Sequence, residues 1–121
     1  MRLVLEALQP VESMIVNSAA DTKRMIEAVD HPALKACLDM GAMAVAGDTI
    51  DDYFDLLGDD VAHVHFVDVA ADDTTHLAWG DGNRDMRADL DSSWRVATRA
   101  WCLPRPMTGA ISPTPRLPMR R

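Results

Sequence analysis

The chain has 121 residues, a hydrophobic content of 48 %, an aromatic content of 5 % and a net charge of -7. The acidic balance argues against a nucleic-acid partner, because phosphate backbones select basic surfaces, and the few aromatic residues argue against base stacking. No apolar run approaches the roughly 20 residues that a membrane helix needs, and no signal peptide is evident, so we predict a cytoplasmic protein that does not enter a membrane.

The first 91 residues are predicted to alternate between strands and helices. Residues 2–6 form a short apolar run that ends on Glu6, which is typical of a buried strand. A helix is predicted from Ser18 until the dipeptide at positions 31–32, where Pro32 stops it. A second strand over residues 33–39 then ends on Asp39.

A second helix and a third strand continue the pattern. The helix covers residues 49–58, with Thr49 as its cap and Gly58 as its stop, and the strand covers residues 61–68 and contains His65. The regular succession of strand and helix predicts an α/β fold with a parallel sheet. The spacing does not distinguish a barrel from an open, doubly wound sheet.

Potential metal ligands stand near the ends of all three predicted strands, namely Glu6, Asp39 and His65. Because parallel strands bring their carboxyl ends to one edge of the sheet, these side chains are expected to meet there. Two carboxylates and an imidazole suit Mn²⁺, Co²⁺, Mg²⁺ or Zn²⁺. An alternative interpretation is structural: the carboxylates could cap the following loops, and His65 could be a core histidine.

Four short motifs occur along the chain in this order: LVLE at 3–6, CLDMG at 37–41, HVHFVD at 63–68 and HLAWGDG at 76–82. In this respect the chain resembles the sugar phosphate isomerase/epimerase family, whose fold is the xylose isomerase-like TIM barrel. Within that family it is similar to the ketose 3-epimerases, such as those of D-tagatose, D-psicose and fructoselysine. The resemblance extends from about residue 2 to residue 90.

The resemblance implies a partial (β/α)8 TIM barrel of three to four parallel strand-helix units over residues 1–91. It implies an isomerase whose metal ligands are Glu6, Asp39 and His65, with Glu6 also the catalytic acid/base, and with Mn²⁺ or Co²⁺ favoured over Mg²⁺ or Zn²⁺. Glu12 and His76 match positions near the substrate, a small sugar or sugar phosphate. A homo-oligomer is compatible with this interpretation of the chain as a sugar isomerase.

In this family the metal binds the carbonyl and adjacent hydroxyl oxygens of the sugar and stabilises an enediolate, while two glutamates move the proton beside the carbonyl. The second glutamate has no counterpart here, since glutamates occur only at positions 6, 12 and 27. Ala42 stands where many relatives have a substrate-binding histidine, which favours the fructoselysine branch. We therefore expect a C-terminal-half fragment with little activity of its own.

The composition changes at residue 92. From there to residue 121 the chain has no acidic residue, six arginines and five of its seven prolines. We interpret this segment as a tail that is disordered or translated from a non-native reading frame, with a basic interaction tail as the alternative. Before it, Cys37 lies in an apolar run and is predicted to be a small buried hydrophobic residue.

Two other functions compete with the sugar isomerase. An endonuclease IV-like metal-dependent phosphodiesterase would share the barrel, but it would need more histidine ligands and a basic surface for DNA. A non-catalytic, acidic α/β interaction protein would carry the same carboxylates without a metal. Metal binding at Glu6, Asp39 and His65 distinguishes the enzymes from the interaction protein.

Overall fold

The computed structural model describes the backbone of residues 1–102 and the side chains of residues 1–95. Its centre is a sheet of three parallel strands in the order β1-β2-β3, with the bounds Leu3–Glu6, Leu34–Asp39 and Val61–His65. In register, Glu6 lies opposite Cys37, and Asp39 lies opposite His65. The predicted α/β class and the parallel order of the strands are confirmed.

Helices follow each strand, with the bounds Ala19–Val29 (α1), Met40–Ala46 (α2), Ile50–Leu57 (α3) and Met86–Cys102 (α4). The predicted cap Thr49 is present: its side chain accepts the N–H of Asp52, and the Asp52 carboxylate accepts the N–H of Thr49. Ser18 caps α1 by accepting the N–H of Asp21. These local bonds fix where the helices begin, because the first N–H groups of a helix have no partner within it.

The two faces of the sheet differ because side chains alternate along a strand. Ala36 and Leu38 of β2 are fully buried in a core shared with the helices, which also contains Met43, Tyr53 and Met86. The alternate positions of β2, Cys37 and Asp39, belong to the opposite face. The register therefore places the polar residues of all three strands together on that second face.

Strand β3 and helix α2 differ from the sequence prediction. Strand β3 ends at His65 rather than at residue 68, because Asp68 exchanges backbone hydrogen bonds of 2.9 and 3.1 Å with Leu77 instead of continuing along β2. Helix α2 was not predicted, because it begins at the residue after β2 and leaves no loop as a signal.

The predicted tail lies only partly within the described residues. Helix α4 crosses residue 92 and continues to Cys102, and residues 103–121 lie outside the described part of the chain. None of the helices within residues 1–102 is long and apolar enough to cross a membrane.

Candidate metal centre

The side chains of Glu6, Asp39 and His65 converge at the carboxyl ends of the strands. Nδ1 of His65 lies 3.0 Å from Oε1 of Glu6 and 3.1 Å from Oδ2 of Asp39. One ligand atom from each residue lies within 4.8 Å of the other two. Asp39 is buried, whereas the side chains of Glu6 and His65 are 33 % and 39 % exposed, so the cluster is open to small molecules on one side.

The spacing of these atoms fits a divalent cation. Two ligands at right angles about an ion with bonds of roughly 2.1 Å lie roughly 3.0 Å apart. The two nitrogen–oxygen distances of 3.0 and 3.1 Å match this separation. Two carboxylates and one imidazole also form the donor set expected for Mn²⁺, Co²⁺ or Zn²⁺.

Asp39 divides its two oxygens between structure and site. Oδ1 accepts the N–H of Ala42 at 2.9 Å and thereby caps helix α2. Oδ2 faces Nδ1 of His65 at 3.1 Å and Nε2 of His76 at 3.4 Å. The capping interpretation considered for this residue from sequence is therefore confirmed, and the second oxygen is left facing the cluster. The cap also fixes the rotamer, which aims Oδ2 at the cluster.

His76, predicted to lie near the substrate, is brought to the edge of the cluster by the loop between β3 and α4. Its backbone has φ 61°, a left-handed conformation that costs a residue other than glycine about 1–2 kcal/mol. Such strain is often found at functional positions. Nδ1 of His76 lies 2.8 Å from the hydroxyl of Thr75, and the side chain is 53 % exposed.

Glu12 lies in the loop after β1 and is exposed. Its carboxylate accepts the backbone N–H of Gln9 at 3.1 Å, a local bond across three residues. A hydrogen bond of 2.9 Å from the Gln9 side chain to Thr75 joins this loop to the one that carries His76. Glu12 is therefore linked to the loop of His76 through Gln9 and Thr75. It forms no direct hydrogen bond with Glu6, Asp39 or His65.

Asp68 is a buried residue whose role was not recognised from sequence. Its carboxylate accepts four backbone N–H groups, at distances of 2.8 to 3.2 Å, from Val69, Gly80, Gly82 and Arg84. Burial by itself raises the pKa of this carboxyl, but the four N–H donors outweigh it and hold the pKa below its ordinary value. Asp68 thus ties together both ends of the loop that carries His76.

Gly82 explains part of the Gly-Asp-Gly motif. A Cβ atom at this position would lie 2.4 Å from Oδ1 of Asp68 and 2.7 Å from the carbonyl oxygen of Val69, closer than real contacts allow. The glycine is therefore required by the close approach of the backbone to the buried carboxylate. This motif was the sequence signal that could have pointed to Asp68.

Cys37 and His63 lie on the same face as the cluster. Cys37 is 1 % exposed, as predicted; burial, together with the negative charges of Glu6 and Asp39, raises the pKa of its thiol to about 11. The ring of His63 meets that of His65 edge to face, with 5.1 Å between the centroids. This contact restricts the orientation of the His65 ring from the side away from the strand ends.

Comparison with known proteins assigns the chain to a family. Residues 1–92 match the family described as xylose isomerase-like TIM barrel. The chain belongs to this family. Relatives in the xylose isomerase-like family include the fructoselysine 3-epimerases of Escherichia coli O157:H7 and Shigella flexneri, each 37 % identical over 87 residues. The match covers 72 % of this chain and 32 % of each relative, so the chain spans about a third of their length.

A solved structure supports the same assignment. The probable 3-DHS dehydratase of Bacillus anthracis involved in petrobactin synthesis superimposes with a TM-score of 0.53 at 28 % sequence identity. The superposition covers 69 % of this chain and 32 % of that one. The three parallel strands are therefore part of a xylose isomerase-like barrel, as predicted.

Proposed function

We propose that this chain supplies the metal-binding portion of the active site of a sugar isomerase/epimerase, of the ketose 3-epimerase type. The observation that carries the proposal is the convergence of Glu6, Asp39 and His65, with one atom of each within 4.8 Å of the others. The 37 % identity to fructoselysine 3-epimerases supports the reaction class. A divalent cation, with Mn²⁺ or Co²⁺ preferred, would be held by these three side chains.

Glu6 is the proposed acid/base of this portion of the site. Its carboxylate is partly exposed and lies beside His65 at the end of β1, so it can receive a proton from a bound ketose and return it. The cation would act as a Lewis acid toward the ketose oxygens. Asp39 is not suited to the same task, because its oxygens are already engaged by Ala42, His65 and His76.

The substrate is proposed to be a ketose or ketose phosphate, with a fructoselysine-like compound as the first candidate. His76 would contact a sugar oxygen from the loop between β3 and α4, and Glu12 would do so from the loop after β1. Ala42 is buried and presents only a methyl group at a position where the family resemblance implies a substrate-binding histidine. The sugar would therefore be oriented here mainly by groups from the two loops.

The experiment is solvent hydrogen exchange at C3 of the ketose. One acid/base can remove a proton and return it on the same face, whereas epimerisation requires a second group on the opposite face. With Mn²⁺ in D2O, the purified chain should incorporate deuterium at C3 of fructoselysine or fructose faster than it epimerises either sugar, as measured by NMR. Glu6→Gln should abolish the exchange, and Glu27→Gln, a change on exposed α1, should preserve it.

Two results would contradict this proposal. Deuterium exchange that survives Glu6→Gln would show that Glu6 is not the acid/base. Epimerisation at a turnover on the order of 1 s⁻¹, within the usual range for enzymes, would show that another group of this chain replaces the second glutamate.

A further inference from the structure

We propose that Gln9 is a positioning residue that joins the loop after β1 to the loop between β3 and α4, so that Glu12 and His76 meet a ligand as parts of one rigid rim. These two side chains are the proposed sugar contacts, so the part that concerns the ligand rests on the proposed function. The joining of the loops can be tested without any ligand. The observation is that Gln9 bonds to Glu12 through its backbone and to Thr75 through its side chain.

The backbone of Gln9 holds the tip of the loop after β1. Its N–H donates to the Glu12 carboxylate at 3.1 Å, and its carbonyl oxygen accepts the N–H groups of Glu12 and Ser13 at 2.9 and 3.0 Å. These bonds form a tight turn in which the Glu12 side chain folds back onto the chain that carries it. The position of Gln9 therefore determines where the Glu12 carboxylate lies.

The base of the same loop is fixed beside the candidate metal centre. Ala7, the residue after β1, is fully buried and forms one apolar cluster with Val16 and Ala42. The N–H of Leu8 donates to the carbonyl oxygen of Val16 at 3.0 Å and closes the loop above this cluster. The base of the loop is thus rigid, and the orientation of its tip, residues 9–15, depends on the contacts of the tip itself.

The side chain of Gln9 connects this tip to the second loop. Its amide N–H donates to Oγ1 of Thr75 at 2.9 Å, across 66 positions of the chain. Oγ1 of Thr75 also lies 2.8 Å from Nδ1 of His76. One hydroxyl group thus contacts both Gln9 and His76, so the separation between the first loop and the His76 ring is set by two successive hydrogen bonds.

Thr75 has a further contact, with the body of the protein. A Cβ atom on Gly41 would lie 2.9 Å from Cβ of Thr75, so the threonine packs directly against the backbone of α2. Residues 71–74, immediately before it, are exposed. The packing limits movement of Thr75 toward α2, and the bond to Gln9 limits movement away from the first loop.

A rim that is fixed before the ligand arrives loses less conformational entropy on binding than two mobile loops do. The benefit is largest for a ligand that contacts both loops at once. When the cation takes the carbonyl and one hydroxyl oxygen of dihydroxyacetone, a single oxygen is left for the loops, whereas fructose keeps several. The inferred ligand is therefore a ketose with several hydroxyl groups beyond those at the cation.

The first measurement is amide hydrogen exchange of the full chain by mass spectrometry, without ligand. Gln9→Ala removes the side-chain link and leaves the backbone bonds of the tip, so it should raise exchange in both residues 9–15 and residues 70–77. We expect about a 5-fold increase, the factor that corresponds to one hydrogen bond. Ser13→Ala is the matched control: it removes a bond of 3.3 Å to the N–H of Ile15 inside the first loop, and should raise exchange there alone.

Thr75→Val and Thr75→Ser provide the reciprocal pair. Valine keeps the packing against Gly41 and loses the hydroxyl group that accepts from Gln9, whereas serine keeps the hydroxyl group. Thr75→Val should raise exchange in residues 9–15, and Thr75→Ser should behave like the wild type. Exchange that rises only in residues 70–77 in Thr75→Val, or only in residues 9–15 in Gln9→Ala, would overturn the joining of the loops.

The second measurement is deuterium incorporation into fructose and dihydroxyacetone by the chain with Mn²⁺. Gln9→Ala should raise KM for fructose about 5-fold and KM for dihydroxyacetone less than about 2-fold, while kcat and the affinity for Mn²⁺ stay unchanged. A general structural defect would lower the affinity for Mn²⁺ or affect both ketoses equally. Either of these results would refute the positioning role of Gln9.

The two measurements separate this inference from the proposed function. If the wild-type chain incorporates no deuterium into either ketose while amide exchange shows joined loops, the proposed function fails and the joining of the loops by Gln9 stands. If deuterium is incorporated but the two loops exchange independently, the proposed function stands and the positioning role of Gln9 is refuted.

Discussion

Oδ2 of Asp39 lies 3.1 Å from Nδ1 of His65, while Oδ1 of the same carboxylate caps helix α2 through Ala42. One buried side chain thus links the start of a helix to the candidate metal site. The two functions can be separated by substitution, because asparagine retains an oxygen acceptor for the cap but lacks the negative charge that attracts a cation.

Substitution of Asp39 should therefore have different effects on stability and on metal binding. We expect Asp39→Ala to lower the free energy of unfolding by about 1 kcal/mol relative to Asp39→Asn, which is the usual value of a lost cap. Both variants should lose Mn²⁺ binding. Urea unfolding and metal titration provide the two measurements. Equal stability of the two variants, or Mn²⁺ binding by either, would contradict the division of roles.

The loop that carries His76 should depend on Asp68. Asp68→Asn places an amide where four backbone N–H groups converge. The amide nitrogen of the asparagine can only donate, so it would face backbone N–H groups that also donate. We expect the midpoint of thermal unfolding to fall by about 5 °C or more. Asp81→Asn, in the same loop but exposed, should change it little. Similar midpoints for the two variants would argue against the structural role of Asp68.

The contribution of Asp68 should also depend on pH. Its pKa in the folded chain is held below the ordinary value of 3.8 by the hydrogen bonds to the backbone. A lowered folded pKa stabilises the protein above the unfolded value and loses this effect as the pH falls through the folded value. The difference in stability between wild type and Asp68→Asn should thus be constant at neutral pH and shrink below about pH 4. A stability difference that grows as the pH falls would contradict the lowered pKa of Asp68 in the folded chain.

Cys37 should resist alkylation in the folded chain. The thiol is buried, and its pKa of about 11 leaves little thiolate at pH 8, whereas the thiolate is the reactive form. Mass spectrometry of peptides after brief iodoacetamide treatment should find Cys37 unmodified in buffer and modified in urea. Modification at similar rates under both conditions would mean that the strand is not buried as described.

Much of the sheet, and the convergence of Glu6, Asp39 and His65, could be predicted from sequence. The apolar runs that end on Glu6 and Asp39 locate two strand ends directly, and the parallel order then brings their carboxylates to one edge. His65 was included because it lies within the third run, although the strand was predicted to be three residues too long. The family motifs independently selected the same three residues.

The contacts between loops could not be predicted in this way. The bond from Gln9 to Thr75 spans 66 positions and follows no helix or strand period, so nothing in the local sequence indicates it. Asp68 was counted as a strand residue because alternation cannot show where a chain leaves a sheet. Helix α2 was missed for a related reason: Asp39 ends the strand and caps the helix at once.

The most direct test of the central claim is a calorimetric titration of the purified chain with Mn²⁺, repeated for Glu6→Gln and Glu27→Gln. Glu27 pairs with Lys23 on the exposed surface of α1 and serves as the matched control for the loss of one carboxylate. We predict binding of a single ion by the wild type and by Glu27→Gln, and an affinity reduced at least about 10-fold in Glu6→Gln. Equal affinity in all three folded chains, or no binding by the wild type, would contradict a metal centre at Glu6, Asp39 and His65.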